Sequence, residues 1–162
     1  MEKINDVKSK FPSDWKLPNV YLLHGSISDE EINELYNHPK VKAHISLTKG
    51  EGFGRPLLEA TISQKPVIAS AWSGHTDFLE QSKAILLPGE LTQVHPSAVW
   101  DKVVIPESKW FTVNYQTASK VLTDVHKNYK NYIPNEFIPI IQCLQRISKK
   151  GIQITFLKGK TS

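Results

Sequence analysis

A single cysteine, Cys143, stands among the 162 residues, so the chain forms no internal disulfide. It lies in the apolar run IPIIQCLQRI, where a small buried side chain is a more frequent role than a nucleophile. No apolar run approaches the ~20 residues that a membrane helix requires, and the N-terminal MEKINDVKSKF lacks the apolar core of a signal peptide. These absences predict a cytoplasmic protein without an integral membrane segment.

Low-complexity sequence is also absent, and 40% hydrophobic with 22% charged residues is the composition of a folded chain. The length fits one domain over residues 1–162, with peripheral ends at 1–19 and 151–162. Scattered lysines give a net charge of +4, which fits a solvated C-terminal end, a small anionic ligand such as a diphosphate, or a basic nucleic-acid-binding domain. No recognisable nucleic-acid-binding motif accompanies the charge, so we expect no nucleic-acid partner.

Strand-like and helix-like segments alternate from NVYLLHG onward. NVYLLHG is predicted as a strand, and SISDEEINELYNHP as a helix with a capping box of Ser28 and Glu31 and an apolar face of Ile32, Leu35 and Tyr36. The order then continues with strand VKAHISLT, helix RPLLEATISQK, strand PVIAS, short helix SGHTDFLEQ and strand AILLPGE. This alternation predicts an α/β fold with a doubly wound parallel sheet.

The region after Gly89 has no clear period and is predicted as an irregular loop with an extended piece near 103–105. Asn114 is predicted to cap a helix. Its apolar stripe comprises Tyr115, Ala118, Leu122, Val125 and Tyr129. A second helix striped by Phe137, Ile141, Leu144 and Ile147, bent at Pro139, and a weakly alternating tail GIQITFLKGK follow.

The segment LTKGEGFGRPLLEAT joins a predicted strand to a predicted helix whose first turn holds Pro56. In open parallel sheets, ligands lie outside the carboxyl ends of strands, at such glycine turns. Glycines at 50, 52 and 54 allow close backbone approach, and the helix N-terminus favours an anion such as pyrophosphate. The G-x-G-x-G spacing does not meet the dinucleotide fingerprint, and no P-loop is present.

Glu51 and Glu59 frame this segment, one in the turn and the other about one turn into the helix. A solvated surface pair is one interpretation. The other is chemical: carboxylates accept bidentate hydrogen bonds from paired sugar hydroxyls and repel a diphosphate, so they suit the two ends of a nucleotide sugar. The surrounding pattern favours the second.

The motif EGFGRPLLE resembles the E-x7-E signature of the two-domain retaining glycosyltransferases that include glycogen and sucrose synthases and many bacterial and viral enzymes. The similarity continues through NVYLLHGSISDEEINELYNH, KPVIAS and WSGHTDFLE to about Leu87, and ESKWF resembles viral and phage-like members less specifically. The resemblance implies two Rossmann-like domains facing a cleft. This chain corresponds to most of the C-terminal one, which binds the nucleotide sugar.

The resemblance also implies roles for individual residues. Glu51 would contact the donor sugar, and Glu59 would hold the ribose. Backbone N–H groups of Gly52, Phe53 and Gly54 would face sugar and phosphate, Leu58 would lie against the nucleoside, and Gly74 and His75 would border the phosphates. The donor would be a UDP-, GDP- or ADP-sugar, with no other cofactor. No divalent metal is implied, and the sequence holds neither an Asp-x-Asp pair nor ligand-like histidine spacing.

The chain departs from the family pattern in two places. The Arg and Lys that usually neutralise the leaving diphosphate have no counterpart in EKINDVKSK or SDWK. Arg55 either compensates in part or is a surface residue. Lys65 stands where a helix-ending glycine is common, at a cost of about 1 kcal/mol if its backbone is left-handed.

The expected function is therefore retaining transfer of a hexose from a nucleotide sugar to an unknown acceptor, with Glu51 as the catalytic candidate. The chain alone is expected to be inactive, because an N-terminal acceptor-binding domain is implied as partner. The alternatives are a non-catalytic nucleotide-binding or interaction module, and a nucleic-acid-binding domain with salt-sensitive affinity. Trp72 and Trp110 are expected to pack rather than to stack on a ligand.

Overall fold

The protein is described by a computed structural model over residues 2–79 and 84–133. Internal contacts divide the chain into two units, Met1–Asn33 and Glu34–Ser162. The larger unit contains the sheets and most of the helices, and its core determines where the glycine turn lies.

The first unit begins with helix α1, Glu2–Ser9, whose Asp6 carboxylate pairs with Lys10 at 2.9 Å. NVYLLHG, predicted as a strand, has no regular secondary structure, and Tyr21 is 82% exposed. That prediction is wrong. An apolar run forms a strand only when a neighbouring strand accepts its backbone hydrogen bonds, and the run itself does not specify that neighbour.

Helix α2, Asp29–Asn37, begins as predicted. Ser28 Oγ accepts from the Glu31 amide at 3.2 Å, and Glu31 Oε2 accepts from the Ser28 amide at 2.8 Å, which is the reciprocal capping box. The helix ends before His38 and Pro39, as expected. Its predicted apolar face is covered only partly, since Ile32 and Tyr36 are half-buried and Leu35 is exposed.

Three parallel strands form the main sheet in the order β1, β2, β3. They are β1 His44–Ser46, β2 Val67–Ser70 and β3 Ile85–Leu87. Ile68 of β2 lies between Ile45 and Ile85 in the register. The flanked parallel sheet confirms the predicted Rossmann-like α/β class.

Both faces of β2 are covered because successive side chains of a strand point to opposite faces. Val67 and Ala69 pack with buried residues of α3, Arg55–Ile62, and α4, Thr76–Leu79. Ile68 packs into a second cluster on the other face. Strand β2 is buried along its whole length, and its first three residues are apolar, whereas the last, Ser70, is a buried polar residue.

Antiparallel strands β4, Gly89–Gln93, and β5, Lys109–Val113, form a separate two-stranded sheet. The irregular loop predicted here is therefore wrong at both ends. The predicted extended piece near 103–105 is present at one residue, Val104, which forms an isolated antiparallel bridge with Trp100. The pairing joins residues about twenty positions apart, and no short turn signal brings them together.

Helix α5, Tyr115–Lys127, begins where predicted, with Asn114 Oδ1 accepting from the Thr117 amide at 2.9 Å. The predicted stripe is correct at Ala118 and Val125, which are buried against β5 residues, and wrong at Tyr115 and Leu122, which are 61% and 37% exposed. Val121, absent from the predicted stripe, packs against the same cluster.

The left-handed backbone at the end of α3 belongs to Gln64, with φ 57°, and not to Lys65. Lys65 instead donates from Nζ to the carbonyls of Tyr36, at 2.5 Å, and His38, at 2.7 Å. The predicted second helix, the tail and Cys143 lie outside the described residues. Across residues 2–79 and 84–133, no helix is long and apolar enough to cross a membrane.

Candidate functional site

Two loops meet at the carboxyl ends of β1 and β2. Ser73 Oγ accepts a hydrogen bond from the Glu51 amide at 3.1 Å and donates one to the Glu51 carbonyl at 2.6 Å. The Gly74 amide donates to the same carbonyl at 3.0 Å. The structure thus brings together Glu51 and Gly74, which the resemblance had placed in one site.

The two loops approach so closely that glycine is required at Gly74. A Cβ atom there would lie 1.9 Å from the Gly52 carbonyl oxygen. Gly54 is required for a different reason, because its φ of 80° is left-handed and a Cβ would lie 2.9 Å from that of His75. The glycine pattern is therefore a consequence of loop-to-loop packing as well as of turn formation.

Gly54 is also the N-cap of α3, and no side chain caps this helix end. Pro56 occupies the first turn, where it has no amide hydrogen to lose. The amides of Leu57 and Leu58 bond to the Gly54 carbonyl at 3.0 and 3.1 Å. The positive end of the helix dipole is thus presented next to Glu51 and Gly52 by backbone alone.

Glu59 is paired with Arg55 one helical turn away, with Arg55 Nε 2.6 Å from Glu59 Oε1. The Arg55 side chain is 73% exposed and that of Glu59 31%. Burial raises the pKa of Tyr36, the negative charge of Glu59 raises it further, and Arg55 partly opposes this. The Glu59 carboxylate therefore lies at the surface, within electrostatic reach of the Tyr36 hydroxyl.

His75 is fully buried, with 0% exposure. Its Nε2 lies 2.7 Å from the Ser70 carbonyl oxygen, which only accepts, so the ring proton is on Nε2. Nδ1 is buried, and no described residue forms a hydrogen bond with it. The side chain supports the loop from inside the core.

The remaining predicted residues divide into core and surface. Leu58 is 4% exposed within the α3 core, and Phe53 is half-buried with its ring 5.5 Å from that of Phe78. Glu51 is half-buried and Gly52 exposed. The expected ligand contacts of all these residues stay predictions.

The second sheet contributes residues that the sequence did not indicate. Lys49 Nζ donates to Thr112 Oγ1 at 3.0 Å and lies 5.2 Å from the centre of the Trp110 ring. The Phe111 amide donates to the Lys49 carbonyl at 3.2 Å. Strand β5 thereby holds the start of the glycine loop, and only the pairing of distant residues could have indicated this.

The two tryptophans considered in the sequence both pack against protein groups. Trp72 stacks on Phe111 with ring centroids 5.8 Å apart and planes 6° from parallel, although it is 44% exposed. Trp110 lies under Lys49. Within the described ranges, no group of three or more His, Cys, Asp or Glu side chains is arranged to hold a metal ion.

Comparison with known protein families identifies the family to which this site belongs. A family model described as Glycosyl transferases group 1 matches residues 12–97, more than half of the chain. The chain belongs to this family. The matched segment contains the glycine loop, α3 and the Ser73 loop, and it implies glycosyl transfer. A comparison with curated proteins gives no significant match.

Proposed function

We propose that this group 1 glycosyltransferase chain binds a nucleotide-sugar donor for retaining transfer of a hexose to an acceptor. The main support is the set of three hydrogen bonds that Ser73 and Gly74 form with the backbone of Glu51. They hold the Glu51 loop beside the start of α3, at the carboxyl end of the parallel strands. Ligands of open α/β sheets bind at this edge.

The charges of the site suit the parts of such a donor. The backbone at the start of α3 offers a positive dipole end to the diphosphate, close to the exposed Gly52. Glu59, on the surface of α3, accepts the ribose hydroxyls. Glu51 accepts hydroxyls of the donor sugar on the other side of the phosphates. Each carboxylate thus meets hydroxyl donors, while the phosphates meet N–H groups.

The cation Arg55 lies on this surface through its pair with Glu59. Because the Arg55 side chain is largely exposed, it loses little free energy when it leaves Glu59 and binds a phosphate oxygen instead. Leu58 and His75 lie in the core, so they would shape the nucleoside and phosphate surfaces from behind.

In the proposed reaction the nucleoside diphosphate leaves, its growing charge is stabilised by the helix end, and the acceptor attacks on the same face of the sugar. No protein nucleophile takes part. Acceptor contacts come from a facing N-terminal domain, as in the families with the E-x7-E signature. No metal or further cofactor is used in this scheme.

A calorimetric screen with UDP, GDP and ADP and their hexose conjugates tests the donor. We expect one nucleoside diphosphate to bind and its hexose conjugate to bind more tightly. Glu51→Ala should abolish the preference for the conjugate while leaving diphosphate affinity nearly unchanged, because Glu51 is assigned to the sugar.

The charge-matched control is Glu107→Gln, an exposed carboxylate between Val104 and β5. This variant should bind both ligands as the wild type does. If Glu51→Ala weakens diphosphate and conjugate alike, the assignment of the two ends is wrong. If no nucleotide binds, the donor proposal fails.

A further inference from the structure

Ser73 has a backbone conformation that serine rarely adopts. Its φ is 85°, in the left-handed region where a Cβ atom is disfavoured and glycine is not. The next residue is a glycine, so the chain places glycine where packing demands it and serine where the backbone would favour glycine. A conformation of this kind persists only when surrounding contacts determine it.

The contacts that determine it are those of the hydroxyl group. Ser73 Oγ is at once acceptor for the Glu51 amide and donor to the Glu51 carbonyl, so it holds both sides of a single residue. A glycine at position 73 would relieve the strain but could form neither bond. The hydroxyl is therefore the reason why a strained serine stands here.

The Ser73 loop is the fixed partner in this pair of loops. The Ser73 carbonyl accepts from Thr76 Oγ1 at 2.8 Å and from the Thr76 amide at 3.1 Å. Thr76 begins α4, whose Phe78 and Leu79 are buried at 1% and 0% exposure. The loop is thus anchored to the core on its carboxyl-terminal side.

The Glu51 loop is the one whose position depends on contacts with the Ser73 loop. Glu51 stands between Gly50 and Gly52, and neither glycine has a side chain to restrict the backbone. A Cβ atom at Gly52 would meet nothing within 4 Å, so the loop is open on that side although the Gly52 carbonyl packs against Gly74. Without the Ser73 hydroxyl, the hydrogen bond from the Gly74 amide would be the one remaining bond from the described part of the neighbouring loop to the Glu51 backbone.

We propose that Ser73 is the positioning residue for Glu51, and that it sets the preference for a nucleotide sugar over the bare diphosphate. The inference rests on the proposed function, because Glu51 is assigned to the donor sugar there. Ser73 itself touches no substrate in this scheme. It acts by holding the Glu51 backbone so that the carboxylate is already placed when the sugar arrives.

Two substitutions separate positioning from stability. Ser73→Ala removes the hydroxyl and keeps the strain, whereas Ser73→Gly removes the hydroxyl and the strain together. We expect a lower melting temperature for Ser73→Ala than for Ser73→Gly. Both variants should lose about tenfold in the affinity ratio of conjugate to diphosphate, the equivalent of one to two net hydrogen bonds. If Ser73 acted only through stability, the affinity ratio would instead fall further in Ser73→Ala, the less stable variant, than in Ser73→Gly.

A double-mutant cycle and a rescue variant sharpen the test. Once Glu51→Ala has removed the carboxylate, Ser73→Gly should cause no further loss of preference. Ser73→Asn should restore part of it, because asparagine tolerates left-handed backbone and offers both an acceptor and a donor. The matched control is Ser97→Gly, an exposed serine in the short 3₁₀ helix Pro96–Ala98, which should keep the wild-type ratio.

Amide hydrogen exchange gives a readout that needs no ligand. The Glu51 amide should exchange faster in Ser73→Gly than in the wild type, because its acceptor is gone. Unchanged exchange would overturn the positioning role. A Ser73→Gly variant that keeps the wild-type ratio while Glu51→Ala loses it would also overturn this inference and leave the proposed function standing. If neither ligand binds the wild type, both fail, and the proposed function is the part in error.

Discussion

At the scale of single residues, the two candidate carboxylate residues already bond to protein partners, Glu59 through its side chain and Glu51 through its backbone. Glu59 is paired with Arg55, and the backbone of Glu51 is held by Ser73 and Gly74. The Arg55–Glu59 pair is exposed enough that it adds little to folding stability. Loss of Glu59 should therefore be visible in ligand affinity rather than in stability.

Glu59→Gln should weaken nucleoside diphosphate binding by about 1.5–3 kcal/mol, the range for hydrogen bonds to a charged group. Calorimetry of wild type and variant with the same diphosphate measures the difference, with Glu107→Gln as control. Equal affinities would remove the ribose-binding role from Glu59.

Gly74→Ala should destabilise the protein by about 1–3 kcal/mol, the usual cost of forcing atoms into a packed contact. The added Cβ would lie 1.9 Å from the Gly52 carbonyl oxygen, so backbone must move. Gly52→Ala is the matched control, because its Cβ would meet nothing within 4 Å. Urea unfolding checks both, and equal midpoints for the two variants would contradict the close approach of the loops.

At the scale of elements, the contact between β1 and the end of α3 contains a half-buried histidine, His44. His44 Nε2 lies 3.2 Å from Ser63 Oγ, and the ring packs edge-on against Tyr36 at 4.8 Å. Burial lowers the pKa of His44, the charge of Lys65 lowers it further, and a hydrogen bond that the ring donates to the backbone of Tyr36 partly opposes both. The folded state thus favours neutral His44.

This predicts a loss of stability in mild acid. The unfolded state binds a proton at a pKa near 6.5, whereas folded His44 binds one only at lower pH. The stabilisation is therefore complete above about pH 6.5 and is lost as the pH falls from there toward the folded pKa. Urea unfolding at several pH values measures it.

His44→Gln keeps a polar partner for Ser63 and removes the titration, so its stability should change less with pH in that window. His126→Gln, on the exposed face of α5, is the comparison variant. If both variants lose the same amount of pH dependence, His44 is not responsible.

Elements were predictable where their determinants are local. The capping box of α2, Pro56 in the first turn of α3 and the Asn114 cap of α5 all lie within a few residues of the helix that they begin. Strands β4 and β5 were missed because each requires the other, and the intervening segment gives no hairpin signal. The strand prediction for NVYLLHG was wrong for the same reason, since apolar character alone does not supply a pairing partner.

At the scale of the whole molecule, binding and turnover make different demands. Transfer requires the acceptor oxygen to be held about 3–3.5 Å from the anomeric carbon, with water largely excluded. The growing charge of the leaving diphosphate must also be stabilised, and one donor at such a charge contributes about 2.7–4 kcal/mol. The sequence of residues 1–162 shows no counterpart of the basic pair that does this in the families it resembles.

We therefore expect the purified 162-residue chain to bind a donor weakly and to show no detectable glycosyl transfer. Activity should return when a facing N-terminal domain and the basic strand–helix unit are supplied. A radiolabelled-sugar assay with the chain alone and with those parts checks this. Robust transfer by the monomeric chain without partners would contradict it.

The sequence by itself determined the α/β class, the beginnings of α2, α3 and α5 and the place of the glycine loop between β1 and α3, because periodicity, capping and turn chemistry act between near neighbours. It also identified Glu51 and Glu59 as candidate site residues. It did not predict helix α1. Tertiary structure decided which residues hold the Glu51 loop in place. Three contacts around the glycine loop join residues 22 to 63 positions apart. They are the hydrogen bonds of Ser73 to Glu51, the close approach of Gly74 to Gly52 and the hydrogen bond of Lys49 to Thr112 of β5. Such contacts depend on how the chain returns to the same sheet edge, and no local pattern encodes that return.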